Sequence, residues 1–258
     1  MIAAVKAMAE LLIQDDGAVR ILTMNRPEKR NALNLALSEA LFDTLREADS
    51  AADIRAIVLT GAGPAFCAGA DLSEFAALSS ADTALVERRA DITAKLHGIF
   101  SQLSKPVVTA INGAAMGGGA GLALAGDVAV MASTAKLGYP EVRHGIVAAV
   151  VMANLVRNVG RKAAFELVAT GEPVDAAQAC ALGLINRVAA PDRLMEEAIA
   201  LAQKLAAVDR PAMAATKQLF YRVLDLPFDE ALEEGRDVNK RMRAFRPLPH
   251  PSPARGGG

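Results

Sequence analysis

The sequence predicts an α/β fold with a helical C-terminal appendage. Three observations predict it. Asp16-Gly17 joins two apolar runs, at 10–14 and 18–25. Short β-branched runs then alternate with segments of helical spacing. Beyond residue 147 the pattern is mostly helical. With 258 residues, 52% of them hydrophobic, the chain can bury a sizeable core. It has no Trp and two Tyr, so that core is aliphatic and alanine-rich.

Asp-Gly between two apolar runs is a hairpin signal. In 35–50, Leu37, Leu41, Phe42, Leu45 and Ala48 recur at helical spacing. RAIVLT at 55–60 reads as a buried strand ended by GAGP. A helix is expected over 82–103. Pro106 opens a second buried strand, VVTAI, which runs into Asn112-Gly113. A glycine-rich stretch, a short helix and a strand at 127–131 follow. Helices are then expected at 147–159, 161–170, 175–182, 191–206, 211–224 and 228–244, interrupted by LINRV at 184–188. Asp175 and Asp192 stand where helix N-caps belong, and Gly183 follows a helix end. The last helices carry Leu219, Phe220, Leu224, Phe228, Leu232 and Val238, whose apolar faces fit either the chain's own core or a neighbouring subunit.

Composition narrows the function. Lysine plus arginine number 28 against 29 aspartates and glutamates, leaving no global field for nucleic acid or an anionic membrane. Cys67 and Cys180 form no CxxC, and Cys67 reads as a buried, inert thiol. MIAAVKAMAELL lacks the basic start of a signal peptide, and no window approaches a membrane span, so a cytoplasmic location is expected. His97, His144 and His250 are far apart and form no HxH or HExxH, so no metal site is expected and each reads as structural or solvated. The glycine cluster at 117–121 is not a dinucleotide fingerprint, because positions 122 and 124 are Leu. No P-loop or GxSxG motif occurs.

Two loops that expose backbone N–H groups remain. AFCAGADL (65–72) follows the strand at 55–60, and GAAMGGGAGL (113–122) follows the strand at 107–111. Each opens a helix, whose first N–H groups lack intrahelical partners. Donors from two such loops can converge on one oxygen, as oxyanion stabilisation requires. Glycine also serves tight strand-to-helix packing, so one loop alone would carry little. A third segment, GYPEVRHGI (138–146), supplies Glu141 in a stretch otherwise short of carboxylates.

In this order, TMNRPEKRNALN (23–34), RAIVLTGAGPAFCAGADL (55–72), KPVVTAINGAAMGGGAGLALAGDVAV (105–130), AKLGYPEVRHGI (135–146), ATGEPVDAAQACALGLINRV (169–188) and PAMAATKQLF (211–220) resemble the crotonase, or enoyl-CoA hydratase/isomerase, superfamily. The resemblance implies a crotonase-like spiral of ββα units over 1–200, a helical trimerisation region over 201–246 and a disordered tail over 247–258. It implies a homotrimer or a hexamer built as a dimer of trimers. It implies an acyl-CoA thioester substrate, with coenzyme A part of the substrate and no separate cofactor. The oxyanion donors match Ala70 and Gly118. CoA-binding positions match Ala68, Asp71, Leu72 and Ser73, with Lys29, Arg30 and Lys217 as candidates for its phosphates.

The sequence departs from the family's hydratases at one place. Those enzymes place a glutamate three residues after the oxyanion glycine, where this chain has Gly121. Their second glutamate matches Glu141. One carboxylate suffices to carry a proton from C2 to C4 of a 3-enoyl-CoA, so the expectation is Δ3-Δ2-enoyl-CoA isomerisation with Glu141 as shuttle. The apolar run 147–151 (VAAVV) is compatible with a drier pocket. The alternatives are a hydratase that recruits another carboxylate, with Glu74 and Glu87 nearest in sequence, and a non-catalytic acyl-CoA binder.

Overall fold

Strands and helices alternate along the chain, and the strands divide between two sheets. The computed structural model describes residues 6–8, 10–77 and 83–242. Strand β1 (Lys6–Met8) leads to the hairpin β2 (Leu11–Asp16) and β3 (Val19–Met24), then helix α1 (Leu35–Ser50). Next come β4 (Ala56–Gly61), β5 (Ala65–Cys67), α2 (Leu72–Ala77) and α3 (Thr83–Gly98). They are followed by β6 (Val107–Ile111), β7 (Ala114–Met116) and α4 (Gly118–Ala125), then β8 (Val128–Ala132), β9 (Lys136–Gly138) and a 3-10 turn, Pro140–His144. The remainder is α5 (Met152–Asn158), α6 (Arg161–Thr170), β10 (Val174–Asp175), α7 (Ala176–Ala181), β11 (Arg187–Ala189), α8 (Leu194–Ala206), α9 (Arg210–Val223) and α10 (Phe228–Met242).

The larger sheet has seven strands in the order β1-β2-β3-β4-β6-β8-β11. Its hairpin turns at Asp16-Gly17, with Asp16 paired to Val19. From β3 to β11 the pairing is parallel, and every residue of β4 and β6 is buried. Helix α8 packs across β3, β4, β6 and β8, so these strands need apolar side chains on both faces.

The smaller sheet, β10-β9-β7-β5, is what positions the site. Each of β4, β6 and β8 is followed within a few residues by a short strand of this second sheet, and then by a helix or helical turn. Three ββ-helix units therefore stack side by side. Strands β5, β7 and β9 run parallel, with Cys67 opposite Ala115 and Met116 opposite Gly138. The three units end at Ala70, Gly118 and Glu141, two or three residues past their short strands.

Several boundaries differ from expectation. The helix expected over 82–103 stops at Gly98 and continues as a 3-10 turn, Phe100–Gln102. Most of LINRV is irregular chain, and β11 begins only at Arg187. Asp175 caps α7 in a capping box with Gln178, as its position implied. Asp192 caps nothing, because α8 starts two residues later with Arg193 as its cap. The helix expected from 147 begins at Met152, after a turn formed by the valine-rich run. The tail over 247–258, His250 and the end of the helix expected to reach 244 lie outside the described residues.

Helix α9 is joined to the core by a buried ion pair. Lys217 is 5% exposed, and its Nζ lies 2.7 Å from Asp127 Oδ2 and 2.8 Å from the Lys105 carbonyl oxygen. Asp127 also accepts from Val107 N–H and the Tyr221 hydroxyl. This does not fit the expectation that Lys217 meets a CoA phosphate: its ammonium is enclosed and paired with Asp127. Removing one member of a buried pair leaves an uncompensated charge, which costs about 3–5 kcal/mol. Lys217→Met should lower the unfolding free energy by about that amount in urea denaturation. A loss below about 1 kcal/mol would contradict the role assigned to the pair.

Candidate active site

The two N–H loops meet. A Cβ built on Gly118 would lie 3.6 Å from Gly69 Cα and 3.8 Å from Ala70 N, and one built on Gly69 would lie 3.2 Å from Gly118 N. Gly118 is the first residue of α4, so its N–H has no intrahelical partner. The neighbours of Ala70 are engaged, since Leu33 N–H donates to Gly69 O and Asp71 N–H to Leu33 O. Among the described residues neither the Ala70 nor the Gly118 N–H has a protein acceptor. Ala70 is exposed and Gly118 half-buried, so both donors are reachable.

The first loop is held from the side by the turn at 26–34. Asn31 is fully buried, donates to Ala62 O and Ala65 O and accepts from Arg26 N–H. Ala68 N–H donates to Arg30 O. The Arg26 guanidinium bridges Glu10 at 3.1 Å and Asp71 at 2.9 Å. Hydrogen bonds from Ser73 and the Arg26 charge hold the Asp71 carboxyl below its ordinary range. Asp71 thus shapes the loop from inside, and its carboxylate does not face outward. Ala68, Leu72, Ser73, Lys29 and Arg30 are exposed around the same loop. Burial pushes the Cys67 thiol up to about 12, in keeping with an inert core cysteine, whereas Cys180 is exposed.

The second loop is pinned by the small sheet. Gly117 donates its N–H to Gly138 O at 2.9 Å and adopts φ +53°, which glycine tolerates. A Cβ there would come within 2.8 Å of Glu141 Oε1, so the carboxylate rests directly against the glycine turn. Glu141 is half-buried, and its Oε2 is a buried oxygen without a hydrogen-bond partner. Burial raises its pKa, outweighing its own backbone N–H and the nearby His144, which act the other way. Val142, Ile146 and Val147 are exposed apolar side chains on the segment that follows.

Gly121 has a different neighbourhood. A Cβ there would lie 2.4 Å from Val151 Cγ1 and 2.9 Å from both Cδ2 and Nε2 of His97. Among the described residues the nearest atoms beside Gly121 belong to this valine and imidazole, not to a carboxylate. The two recruits suggested by sequence proximity are placed elsewhere. Glu74 accepts from Leu35 N–H and pairs with Arg89, and Glu87 is exposed on α3. Sequence reasoning missed the Arg26–Asp71–Glu10 network, Asn31 and the placement of His97. In the sequence, NRPEKRNALN carries part of the family resemblance and offers Lys29 and Arg30, but nothing local points to Arg26 or Asn31.

Stacked ββ-helix units bring two N–H groups that lack protein acceptors among the described residues, and one half-buried carboxyl group, to one place. A family model described as enoyl-CoA hydratase/isomerase matches residues 14–245, and the chain belongs to that family. It is 42% identical over 241 residues to a Thermus thermophilus protein named "Putative enoyl-CoA hydratase", covering 90% of this chain and 95% of that one. It is 37% identical over 232 residues to the 2,3-dehydroadipyl-CoA hydratase of Escherichia coli K12, covering 90% and 89%. Among solved structures, the enoyl-CoA hydratase of Bacillus anthracis superposes with a TM-score of 0.87 at 31% identity, covering 92% of each chain. The crotonase fold is thereby established, and an acyl-CoA thioester substrate fits the family.

Two glycines three residues apart should respond oppositely to the same substitution. At Gly118 an added methyl meets its neighbours at 3.5 Å or more, so Gly118→Ala should leave the unfolding free energy within about 0.5 kcal/mol of wild type. That methyl sits beside Ala70 N and should still depress turnover. Gly121→Ala overpacks against Val151 and His97 and should cost about 1–3 kcal/mol. Equal stabilities for the two variants, measured by denaturant unfolding, would contradict this geometry.

Proposed function

We propose that the protein is an acyl-CoA enzyme that moves a double bond, converting a 3-enoyl-CoA to a 2-enoyl-CoA with Glu141 as the only proton carrier. The observation that carries this reading is the contrast between two neighbouring positions. Glu141 lies against the oxyanion turn, whereas the space at Gly121 is filled by an imidazole and a valine. Water addition calls for a base and an acid on either side of the water. A double-bond shift calls for one group that takes a proton from C2 and returns it at C4. The thioester oxygen accepts from Ala70 N–H and Gly118 N–H while the dienolate carries negative charge. Each such donor is worth roughly 3–4 kcal/mol to the transition state. Glu141 takes the C2 proton, the C–H pair becomes the C1–C2 π bond and the carbonyl pair moves to oxygen. When the oxyanion collapses, the C1–C2 pair shifts to C2–C3 and the C3–C4 pair takes the proton from Glu141 at C4, so no atom is gained or lost.

Hydration is the second reading, and the names of the relatives favour it. Both curated relatives compared above are called hydratases. It requires a second acid or base, which neither Glu74 nor Glu87 supplies in the arrangement described. Assembly through the C-terminal helices belongs to the same proposal. Helix α10 contains no buried residue, and Phe228 is 76% and Leu232 57% exposed, so its apolar face suits a neighbouring copy in a trimer.

Glu141→Gln should reduce isomerisation of a 3-enoyl-CoA by about 10²–10⁴-fold while CoA binding persists. Wild-type turnover in that variant would exclude the shuttle. In the wild type kcat/KM should fall as pH drops through a Glu141 pKa above the ordinary glutamate value, because the base must be ionised. The sign for stability is opposite. A carboxyl whose folded pKa is raised contributes stability at low pH and loses it as pH rises through that pKa. Glu141→Gln should therefore raise Tm at neutral pH and change it little in acid. A lower Tm at neutral pH would contradict the assignment of Glu141 as a strained, ionised base.

A further inference from the structure

His97 lies on α3, outside the sequence segments that suggest the chemistry, yet its ring touches the glycine helix at two points. Nε2 is 3.1 Å from Gly118 O, and Nε2 and Cδ2 occupy the space beside Gly121. On the far side of the ring Nδ1 is 2.9 Å from Thr93 O. The residue is 4% exposed, and burial lowers its pKa, which favours the neutral imidazole, a form with one N–H for two carbonyl oxygens.

The Gly118 N–H points correctly only if the peptide units on both sides of its Cα are held. The preceding unit is fixed within the chain, because Gly117 N–H donates to Gly138 O and Gly117 O accepts from Gly121 N–H, each at 2.9 Å. The following unit carries the Gly118 carbonyl. As the first residue of α4, Gly118 accepts at its carbonyl from Leu122 N–H, but three successive glycines add no side chain to hold this end of the helix, and glycine loses more conformational freedom on ordering than any other residue. Its contact from outside the helix is His97 Nε2. Asn154 Nδ2 donates to the His97 carbonyl, and the Val151 methyl shares the space at Gly121 with the ring.

We propose that His97 is a positioning residue for the oxyanion hole: its Nε2–H clamps the Gly118 carbonyl, and Gly121 lacks a side chain so that this ring can reach it. The inference rests on the proposed enolate chemistry and assigns a purpose to the glycine where the family's hydratases have a carboxylate. His97 touches no reacting atom. It acts by fixing the direction of a backbone donor, where a displacement near 1 Å can cost about 10²-fold in rate.

The test uses the full-length protein and acetoacetyl-CoA, a β-keto thioester whose bound enolate is read by its near-ultraviolet absorbance. His97→Gln retains an amide N–H close to the Nε2 position, whereas the His97→Asn amide stops near Nδ1. Expected are a fall in the enolate fraction of about tenfold or more for Asn and recovery to within about threefold of wild type for Gln, with free-CoA affinity unchanged in both. Nitrogen-15 NMR of the wild type should find the proton on Nε2. A folded Asn variant with the wild-type enolate fraction, a Gln variant as poor as Asn, or an Nδ1–H tautomer would each overturn the clamp. Should Asn fail to fold, Gln and the tautomer decide. A wild type that binds the enolate but does not isomerise 3-enoyl-CoA defeats the isomerase reading and leaves this test intact. One that binds no enolate defeats both.

Discussion

The register of the four-stranded sheet is the constraint on which the site depends. Cys67 sits opposite Ala115 and Met116 opposite Gly138, so three chain segments far apart in sequence emerge side by side. Each then turns into a helix or helical turn near a candidate functional residue, Ala70, Gly118 or Glu141. A slip of one residue would reverse which side of each short strand faces the core. It would also separate the two N–H groups, which have no side chain of their own to hold them together. The larger sheet supplies the rigid base, through strands buried on both faces beneath α8.

Within that frame, the proposed chemistry turns on the room beside the glycine helix. The turn at Gly117 receives a carboxylate from the neighbouring unit, and the turn of helix at Gly121 receives an imidazole and a valine methyl. Two adjacent places on one helix thus differ in whether a proton carrier stands beside them. The carboxylate is held at some cost. Among the described residues Glu141 Oε2 and the Tyr139 hydroxyl are both buried without a protein hydrogen-bond partner, and burial, with Glu141 contributing, raises the Tyr139 pKa. Such unsatisfied groups persist where function requires them, and here they surround the group proposed to move the proton.

Much of this was legible in the sequence, for identifiable reasons. The hairpin at Asp16-Gly17, the buried strands around Val58 and Val108 and the capping box at Asp175 are local patterns, and local patterns survive folding. The roles of Ala70, Gly118 and Glu141 came from the family resemblance. The second sheet was not legible, because strands such as Ala65–Cys67 and Lys136–Gly138 are too short to carry a period. Lys217 was misread for a related reason. A lysine near the C-terminus looks available for a phosphate, and only the fold places Asp127, 90 residues earlier, against it. His97 carried no signal at all, since its partner is a backbone carbonyl that any sequence would offer. The neighbour that explains Gly121 was therefore invisible until α3 and α4 were seen packed together.

The central claim is that one carboxylate over two backbone donors moves a proton within the substrate. It is tested most directly by a 3-enoyl-CoA labelled with deuterium at C2 and turned over in ordinary water. A single shuttle carries part of the label from C2 to C4, so the 2-enoyl-CoA product should contain deuterium at C4, read by mass spectrometry and NMR. Product formed with solvent hydrogen alone at C4, or a 3-hydroxyacyl-CoA as the first product, would contradict it.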